Sequence, residues 1–552
     1  MRLPQGWDEE LRNQFYHTPQ GSLLFPYEWF LSLEAEESGE NRDVRRFAHP
    51  DHLERYGLIP PDGRNALNPD GLPIGFAVEP GPTAAGIDTS LSADLERASP
   101  GERWVGLTCA ACHTADATVR GRSVRLDGAP ARFDFDSFYR DFAAAVQKTL
   151  YDPARFERFA DQIVGPVAEG PAGATADVAR AKLRVAFAER AAAVAGEAAL
   201  RRPALESGFG RVDALTQIVN SIAARDQQTP ANLRAPAAPT SYPPLWLTPR
   251  LEFVQWNPIA ANPLARNGGQ TLGVFGRAAL AGPADGLFDS SVRLHDLHNI
   301  ETWVRDLEPP AWDESIMGEI DRPAADLGRG LYERHCVGCH ALPPYPQTDP
   351  AENSFGKSFI PIKRVDYREV GTDPAYVESL VGRLVLTSPA TAPLVDGEGV
   401  VAAPAYFSRT VGAVLSRAMA EAGLTPEERA DMIGYRLRPG PAGLPVPYTP
   451  PSLTDVKAGP LPGVWATGPY LHNGSVPTVE DLLKPPADRR KVFWTGAREL
   501  DLERLGYVSE DAPGRFRFDT ELLGNGNGGH EYPPGGLAPD DRSDLIEFLK
   551  TL

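Results

Sequence analysis

The sequence predicts a mainly α, loop-rich fold in two domains with large irregular insertions. Three observations predict it. A chain of 552 residues is long enough to form more than one core. All 4 of its cysteines fall in two copies of one pentapeptide, Cys-x-x-Cys-His, at 109–113 and 336–340. Its 52 glycines and 54 prolines make up about a fifth of the residues, above the usual ~12 % but short of a low-complexity chain. Hydrophobic residues at 42 % and aromatics at 9 % suffice for buried cores.

The elements follow in order. Residues 57–88, rich in Gly, Pro and Asp, read as loop before the first pentapeptide. FDFDSFYRDFAAAVQKTL (133–150) spaces Phe138, Phe142, Val146 and Leu150 as one helical stripe. Residues 175–200, Ala-rich with scattered Arg and Glu, predict a surface-exposed helix, and 211–225 an amphipathic one. The segment SYPPLWLTPRLEFVQWNP (241–258) cannot be a long helix, because its prolines interrupt the hydrogen-bond ladder. Its Tyr242, Trp246, Phe253 and Trp256 either wall a cofactor pocket or pack as an ordinary loop. A helix over 294–312 should be ended by Pro309 and Pro310. Residues 307–323 then read as the connection between an N-terminal domain, 1–315, and a C-terminal one, 316–552. A helix over 321–340 leads into the second pentapeptide. In the last segment Leu545, Ile546, Phe548, Leu549 and Leu552 form an apolar stripe, and Asp540 and Asp541 favour its N-terminal end. That helix should pack on the one before the second pentapeptide.

The chemistry of the pentapeptide is specific. On a helical turn, residues i, i+3 and i+4 share a face, so Cys109, Cys112 and His113 point together, as do Cys336, Cys339 and His340. Two such thiols can add across the two vinyl groups of a haem, and the imidazole then ligates the iron. This is the attachment signature of c-type haem. Paired zinc knuckles sit much closer in sequence, a redox dithiol does not explain a histidine after both copies, and disulfides would not repeat one pentapeptide. Two covalently bound c-type haems are therefore expected, with His113 and His340 as iron ligands.

The second axial position separates electron transfer from ligand chemistry. No histidine lies between His113 and His295, and no methionine between Met1 and Met317. An open iron at the first haem is thus favoured, able to bind O2 or H2O2 at the His113 site. For the second haem the candidates are Met419, Met432, His472 and His530. Both methionines read as core residues of helices. His530 lies in GNGNGGHEYPPGGL, where glycines permit close backbone approach to a flat cofactor, and is favoured as the ligand. His472 is expected as a pocket residue. A formal net charge of −19 argues against a nucleic-acid partner and leaves room for a small basic redox protein. No run of about 18 apolar residues predicts a membrane span, and MRLPQGWDEELRNQF is too polar for a signal peptide. Covalent haem nevertheless implies a periplasmic or secreted location, with the leader removed or encoded upstream.

These residues carry a resemblance. GPYLHNGSVPTVEDLL (468–483) resembles the C-terminal motif of bacterial dihaem cytochrome c peroxidases and of the wider superfamily that includes the methylamine-utilisation dihaem enzymes. FYHTPQGSLLFPYEWFLSLE (15–34), NPDGLPIGFA (68–77), WVGLTCAACHT (104–114), PLARNGGQTLGVFG (263–276) and the segment 524–552 look closer to its rubber oxygenase branch. The resemblance implies two cytochrome c-like haem domains, the first haem on His113 with a side that binds O2, the second held by His340 and His530. It also implies oxidative cleavage of carbon–carbon double bonds in an apolar or polymeric substrate such as polyisoprene. The early distal histidine familiar from the peroxidases is absent after the first motif. Peroxide reduction and plain electron transfer by two six-coordinate irons are the competing expectations.

Overall fold

A computed structural model describes residues 1–35, 45–81, 103–165, 171–260, 263–282, 284–350, 357–433, 437–439, 445–447 and 452–552. The fold is 42 % helix and 14 % strand, so the mainly helical expectation holds, with long loops between short two- and three-stranded sheets. Of the predicted loop, 57–81 is irregular apart from the strand Phe76–Glu79, and 82–88 lies outside the described residues.

The helix predicted near 133–150 spans Phe135–Tyr151, and Asp134 caps it by accepting from the Ser137 N–H at 3.1 Å. Its stripe of Phe138, Phe142 and Val146 is buried against Phe25, Phe30, Phe47 and Phe76. The Ala-rich helix spans Pro171–Arg201 but is not simply exposed. Leu183, Phe187, Ala191 and Val194 form a narrow stripe that packs on Phe25, Trp29, Phe156 and Phe159. Its Glu197 is also buried, held by Arg201 and Arg225, and those guanidiniums keep its carboxyl well below the usual range.

Residues 211–225 do not form one amphipathic helix. Arg211–Val212 pair with Thr240–Ser241, Asp213 caps the helix Ala214–Val219, and a wider π-type turn runs over Asn220–Asp226. Both faces are buried, because this segment crosses a core of Leu215, Val219, Ile222, Leu272, Leu297 and Val414. The helix expected over 294–312 stops at Arg305, and Pro310 instead offers its carbonyl to Trp465 Nε1 at 3.1 Å.

The closing pair of helices is as expected. Arg322–His335 crosses Pro539–Leu549 at Gly328, where a Cβ would lie only 2.1 Å from the Asp544 carbonyl oxygen. Tyr332 and Phe548 meet beside that crossing with ring centroids 5.2 Å apart. One core joins Leu3, Val124 and Leu126 to Trp465, Leu545 and Phe548, and another joins Leu215–Leu297 residues to Tyr376, Tyr406 and Val414. Packing therefore runs across the 315/316 position.

Candidate functional site

Both pentapeptides adopt the turn that their spacing demands. At the first, Thr108 caps a 3₁₀ turn over Cys109–Ala111, and the His113 N–H donates to the Cys109 carbonyl at 3.0 Å. At the second, Cys336 caps the Arg322–His335 helix, and the His340 N–H donates to the Cys336 carbonyl at 2.8 Å. Each imidazole is oriented the same way: His113 Nδ1 lies 2.8 Å from the Pro243 carbonyl oxygen and His340 Nδ1 2.7 Å from that of Gly459. A carbonyl fixes the proton on Nδ1 and leaves Nε2 free as a ligand. Burial lowers His113 to about 4 and lowers His340 as well, which keeps both rings neutral and able to ligate. None of the four cysteines is engaged in a disulfide.

Each motif opens into its own cavity. The first has an empty volume of about 1520 Å³ and is lined by Cys109, Cys112 and His113 together with Phe135, Trp256 and Tyr376. Among the described lining residues there is no second histidine and no methionine. The polar lining includes Gln20, Gln217, Gln270, Arg266, Asn267, Glu301 and Lys457. Arg266 pairs with Glu301, and Asn267 donates to the same carboxylate at 3.0 Å. Gln20 Nε2, Gln217 Nε2, Arg266 Nη1 and Glu301 Oε1 are buried with no hydrogen-bond partner. Two thiols, a neutral imidazole and orphaned polar atoms around an apolar space fit a covalently held haem.

The second cavity, about 1650 Å³, is lined by Cys336, His340, His530 and His472, with Tyr332, Leu545 and Leu549 from the two closing helices. His340 and His530 face each other with ring centroids 6.1 Å apart. Two metal–nitrogen bonds of about 2.0 Å each, plus the two half-rings, come to roughly 6 Å. The spacing therefore suits one metal between the rings. Burial, with His340 and Arg489 nearby, lowers His530 to about 3. Met419 is buried in the core of the helix Ala403–Glu421, and Met432 packs beside that core; neither lines this cavity.

Three residues that sequence reasoning missed hold His530 in place. Arg489 donates from Nη1 to Asn527 O at 2.6 Å and Gly529 O at 2.8 Å, and from Nη2 to His530 O at 3.1 Å. Asp373 accepts from the Gly524 and Gly526 N–H groups at 3.1 and 2.9 Å. Arg211 joins this loop to the His472 loop, donating to Asn525 Oδ1 at 2.9 Å and Asn473 O at 3.0 Å. A Cβ on Gly529 would meet the Val370 carbonyl oxygen at 2.4 Å, so this glycine lets the His530 loop pack closely on the backbone at 370–372.

The aromatic segment divides between the cavities. Tyr242 and Trp256 line both, Trp246 only the second, and Phe253 neither. Trp246 Nε1 donates to the Pro462 carbonyl at 2.7 Å and Trp256 Nε1 to that of Ser241 at 2.9 Å. His472 belongs to the second cavity, 3.3 Å from the Thr372 hydroxyl, and burial lowers it to about 4. No helix among the described residues is long and apolar enough to cross a membrane.

Comparison with known proteins agrees with this geometry. Residues 456–495, which carry Gly459 and His472, match the family described as RoxA-like, cytochrome c-like. Over its whole length the chain is 34 % identical to "Uncharacterized protein y4iJ" of Sinorhizobium fredii (strain NBRC 101917 / NGR234), covering 93 % of that protein. A second protein of that strain, "Uncharacterized protein y4iM", is 36 % identical over 19 % of this chain and 28 % of its own length. The chain belongs to the same family as the y4iJ protein, and its RoxA-like, cytochrome c-like segment implies a c-type haem with its iron.

Proposed function

We propose that the chain is a dihaem oxidoreductase that uses O2 at its N-terminal haem to cleave an apolar unsaturated substrate, polyisoprene or a shorter alkene. The observation that carries this reading is the asymmetry of the two cavities. His340 has an imidazole opposite it at 6.1 Å, whereas His113 has neither a second histidine nor a methionine in its cavity.

Cys109, Cys112, Cys336 and Cys339 hold the two cofactors as thioethers. When bound, haem supplies the one-electron and O2 chemistry. His113 would hold the first iron, and no second histidine or methionine among the described lining residues would compete with an oxidant there. His340 and His530 would together hold the second, which suits electron storage or relay. Phe135, Tyr242, Trp256 and Tyr376 keep the first cavity apolar and exclude water around an alkene. Trp256 and Tyr242, lining both cavities, supply aromatic contact between the two centres. Trp246 and His472 shape the second. Covalent haem and the absence of a membrane-spanning helix among the described residues support a periplasmic or secreted location.

A second reading, H2O2 reduction with electrons from a small redox protein, is favoured by one observation. Glu301 presents a free Oε1 in the first cavity beside Arg266, an acid–base group of the kind that peroxide cleavage uses. Optical and EPR spectra under argon, then with O2, CO and peroxide, test the open iron. Incubation with polyisoprene and simple alkenes under ¹⁸O2 should give labelled carbonyl products. Their absence together with rapid peroxide reduction by a reduced small cytochrome establishes the second reading. No spectral change with any of these ligands reduces the protein to an electron carrier.

A further inference from the structure

Lys457 is left unexplained by the fold. It lies on the strand Asp455–Ala458, which pairs antiparallel with Lys363–Asp366. Its N–H donates to the Trp256 carbonyl at 2.8 Å, and its Nζ stands 5.9 Å from the centre of the Trp256 ring. The side chain lines both cavities, yet no hydrogen bond or ion pair joins its Nζ to any described residue. No Asp or Glu among the described residues lines the second cavity. Glu301, the carboxylate lining the first, is already engaged by Arg266 and Asn267.

We propose that Lys457 is the counter-ion of a haem propionate at the wall that the two cavities share. The proposal rests on the reading that both pentapeptides carry haem. A half-buried ammonium facing two cavities without an anion is unfavourable, and the neighbouring aromatic face offsets only part of that cost. Burial and the nearby Arg266 pull the amine down to about 8, which still leaves it mostly charged at neutral pH. The missing anion must then come from outside the chain. Haem brings two carboxylates, and thioethers at its vinyl edge leave the propionate edge free to reach the far side of its cavity. The same strand continues to Gly459, whose carbonyl accepts from His340 Nδ1 at 2.7 Å, so Lys457 is held in fixed relation to a proximal ligand. Either haem can supply the carboxylate, and the experiment separates them.

The test uses holoprotein of the wild type, Lys457→Met and Lys457→Arg, each weighed by mass spectrometry to confirm two haems. Optical redox titration should show that Lys457→Met lowers the reduced-to-oxidised ratio of one haem by about tenfold at a fixed ambient potential. That is the effect of one unit charge roughly 10 Å away at an effective ε of about 20. Lys457→Arg should stay within about twofold of wild type. Repeating the titration after Cys109→Ala/Cys112→Ala, or after Cys336→Ala/Cys339→Ala, identifies which haem responds. Resonance Raman propionate bands should shift between H2O and D2O in the wild type and lose that shift in Lys457→Met. A fully loaded Lys457→Met protein with unchanged ratios and unchanged propionate bands overturns the proposal. Should Lys457→Met fail to load, absence of a D2O shift in the wild type overturns it equally. A wild-type mass with fewer than two haems overturns the underlying dihaem reading instead.

Discussion

Gly328→Ala should destabilise the protein, although alanine is the better helix former. A Cβ at 328 would lie 2.1 Å from the Asp544 oxygen, 2.6 Å from its carbonyl carbon and 2.9 Å from Leu545 Cα. All three atoms belong to the backbone of the terminal helix and cannot rotate away. The helices would have to part by more than about 1 Å to reach an ordinary contact of about 3.5 Å. Parting them loosens the Tyr332–Phe548 contact and the burial of Leu331, Leu545 and Leu549. Overpacking of this kind costs about 1–3 kcal/mol, against a propensity gain of about 1 kcal/mol. The net expectation is a loss of up to about 2 kcal/mol. Gly330→Ala is the internal control, because the nearest atom there is the flexible Arg334 Nη1 at 3.6 Å. It should gain up to about 1 kcal/mol from propensity alone. Denaturant unfolding followed through the haem absorption reads both, since Tyr332 donates to the His340 carbonyl at 2.8 Å and couples the crossing to the second site. Equal signs for the two variants, or a Gly328→Ala protein as stable as wild type, would refute the backbone-contact argument.

Changing Cys109 or Cys112 to Ala should remove one haem mass from the matured protein, and changing Cys336 or Cys339 the other; zinc or an unmodified chain after maturation would contradict both assignments. His530→Ala should open the second iron to CO and alter its spectrum while leaving ligand binding at the first intact, whereas Met419→Ala should do neither. Burial lowers His472 to about 4, whereas an unfolded histidine titrates near 6.5. Between these values the unfolded chain binds the extra proton, so stability is complete above about pH 6.5 and falls as pH drops towards about 4, by roughly 3 kcal/mol. Denaturation midpoints at pH 7 and 4.5 should converge for His472→Gln relative to wild type; an undiminished loss in the variant would exclude this imidazole as the source.

The sequence was most legible where chemistry demands a local pattern. Two pentapeptides announced two turns with cysteine and histidine on one face, and the apolar stripe at 545–552 announced the helix that closes on 322–335. His530 stood out because it lies amid glycines and both candidate methionines looked like core, and the structure brings its ring to 6.1 Å from that of His340. What was illegible depends on tertiary partners. The Ala-rich stretch near 175–200 hides a narrow stripe whose meaning comes only from Trp29 and Phe159 across the interface. The segment 211–226 looks amphipathic, yet some of its polar side chains find their partners inside the protein: Asn220 donates to the Leu200 and Arg234 carbonyls at 3.2 and 2.6 Å. Arg489 and Asp373 carry no local signal at all, since their role is to satisfy the backbone of a loop far away in sequence. The split of the 241–258 aromatics between two cavities follows from the path of the chain, which spacing cannot reveal.

The depth at which the thiols lie constrains when the cofactors can be attached. Thioether formation needs a reactive, accessible sulfur. Burial pushes Cys109 and Cys336 up to about 11 and Cys112 to about 12, which disfavours their thiolates once the chain has folded. The walls that enclose Cys109 and Cys112 include Trp256, Tyr376 and Lys457, all far downstream. While the polypeptide is still extended, the first motif stands open, and it closes only after its distant walls have been synthesised and brought home. Assembly is therefore a race between the haem-attaching machinery and the collapse of the chain. A polypeptide that folds first would reach the right shape and yet be barred from acquiring the cofactor that the shape exists to hold.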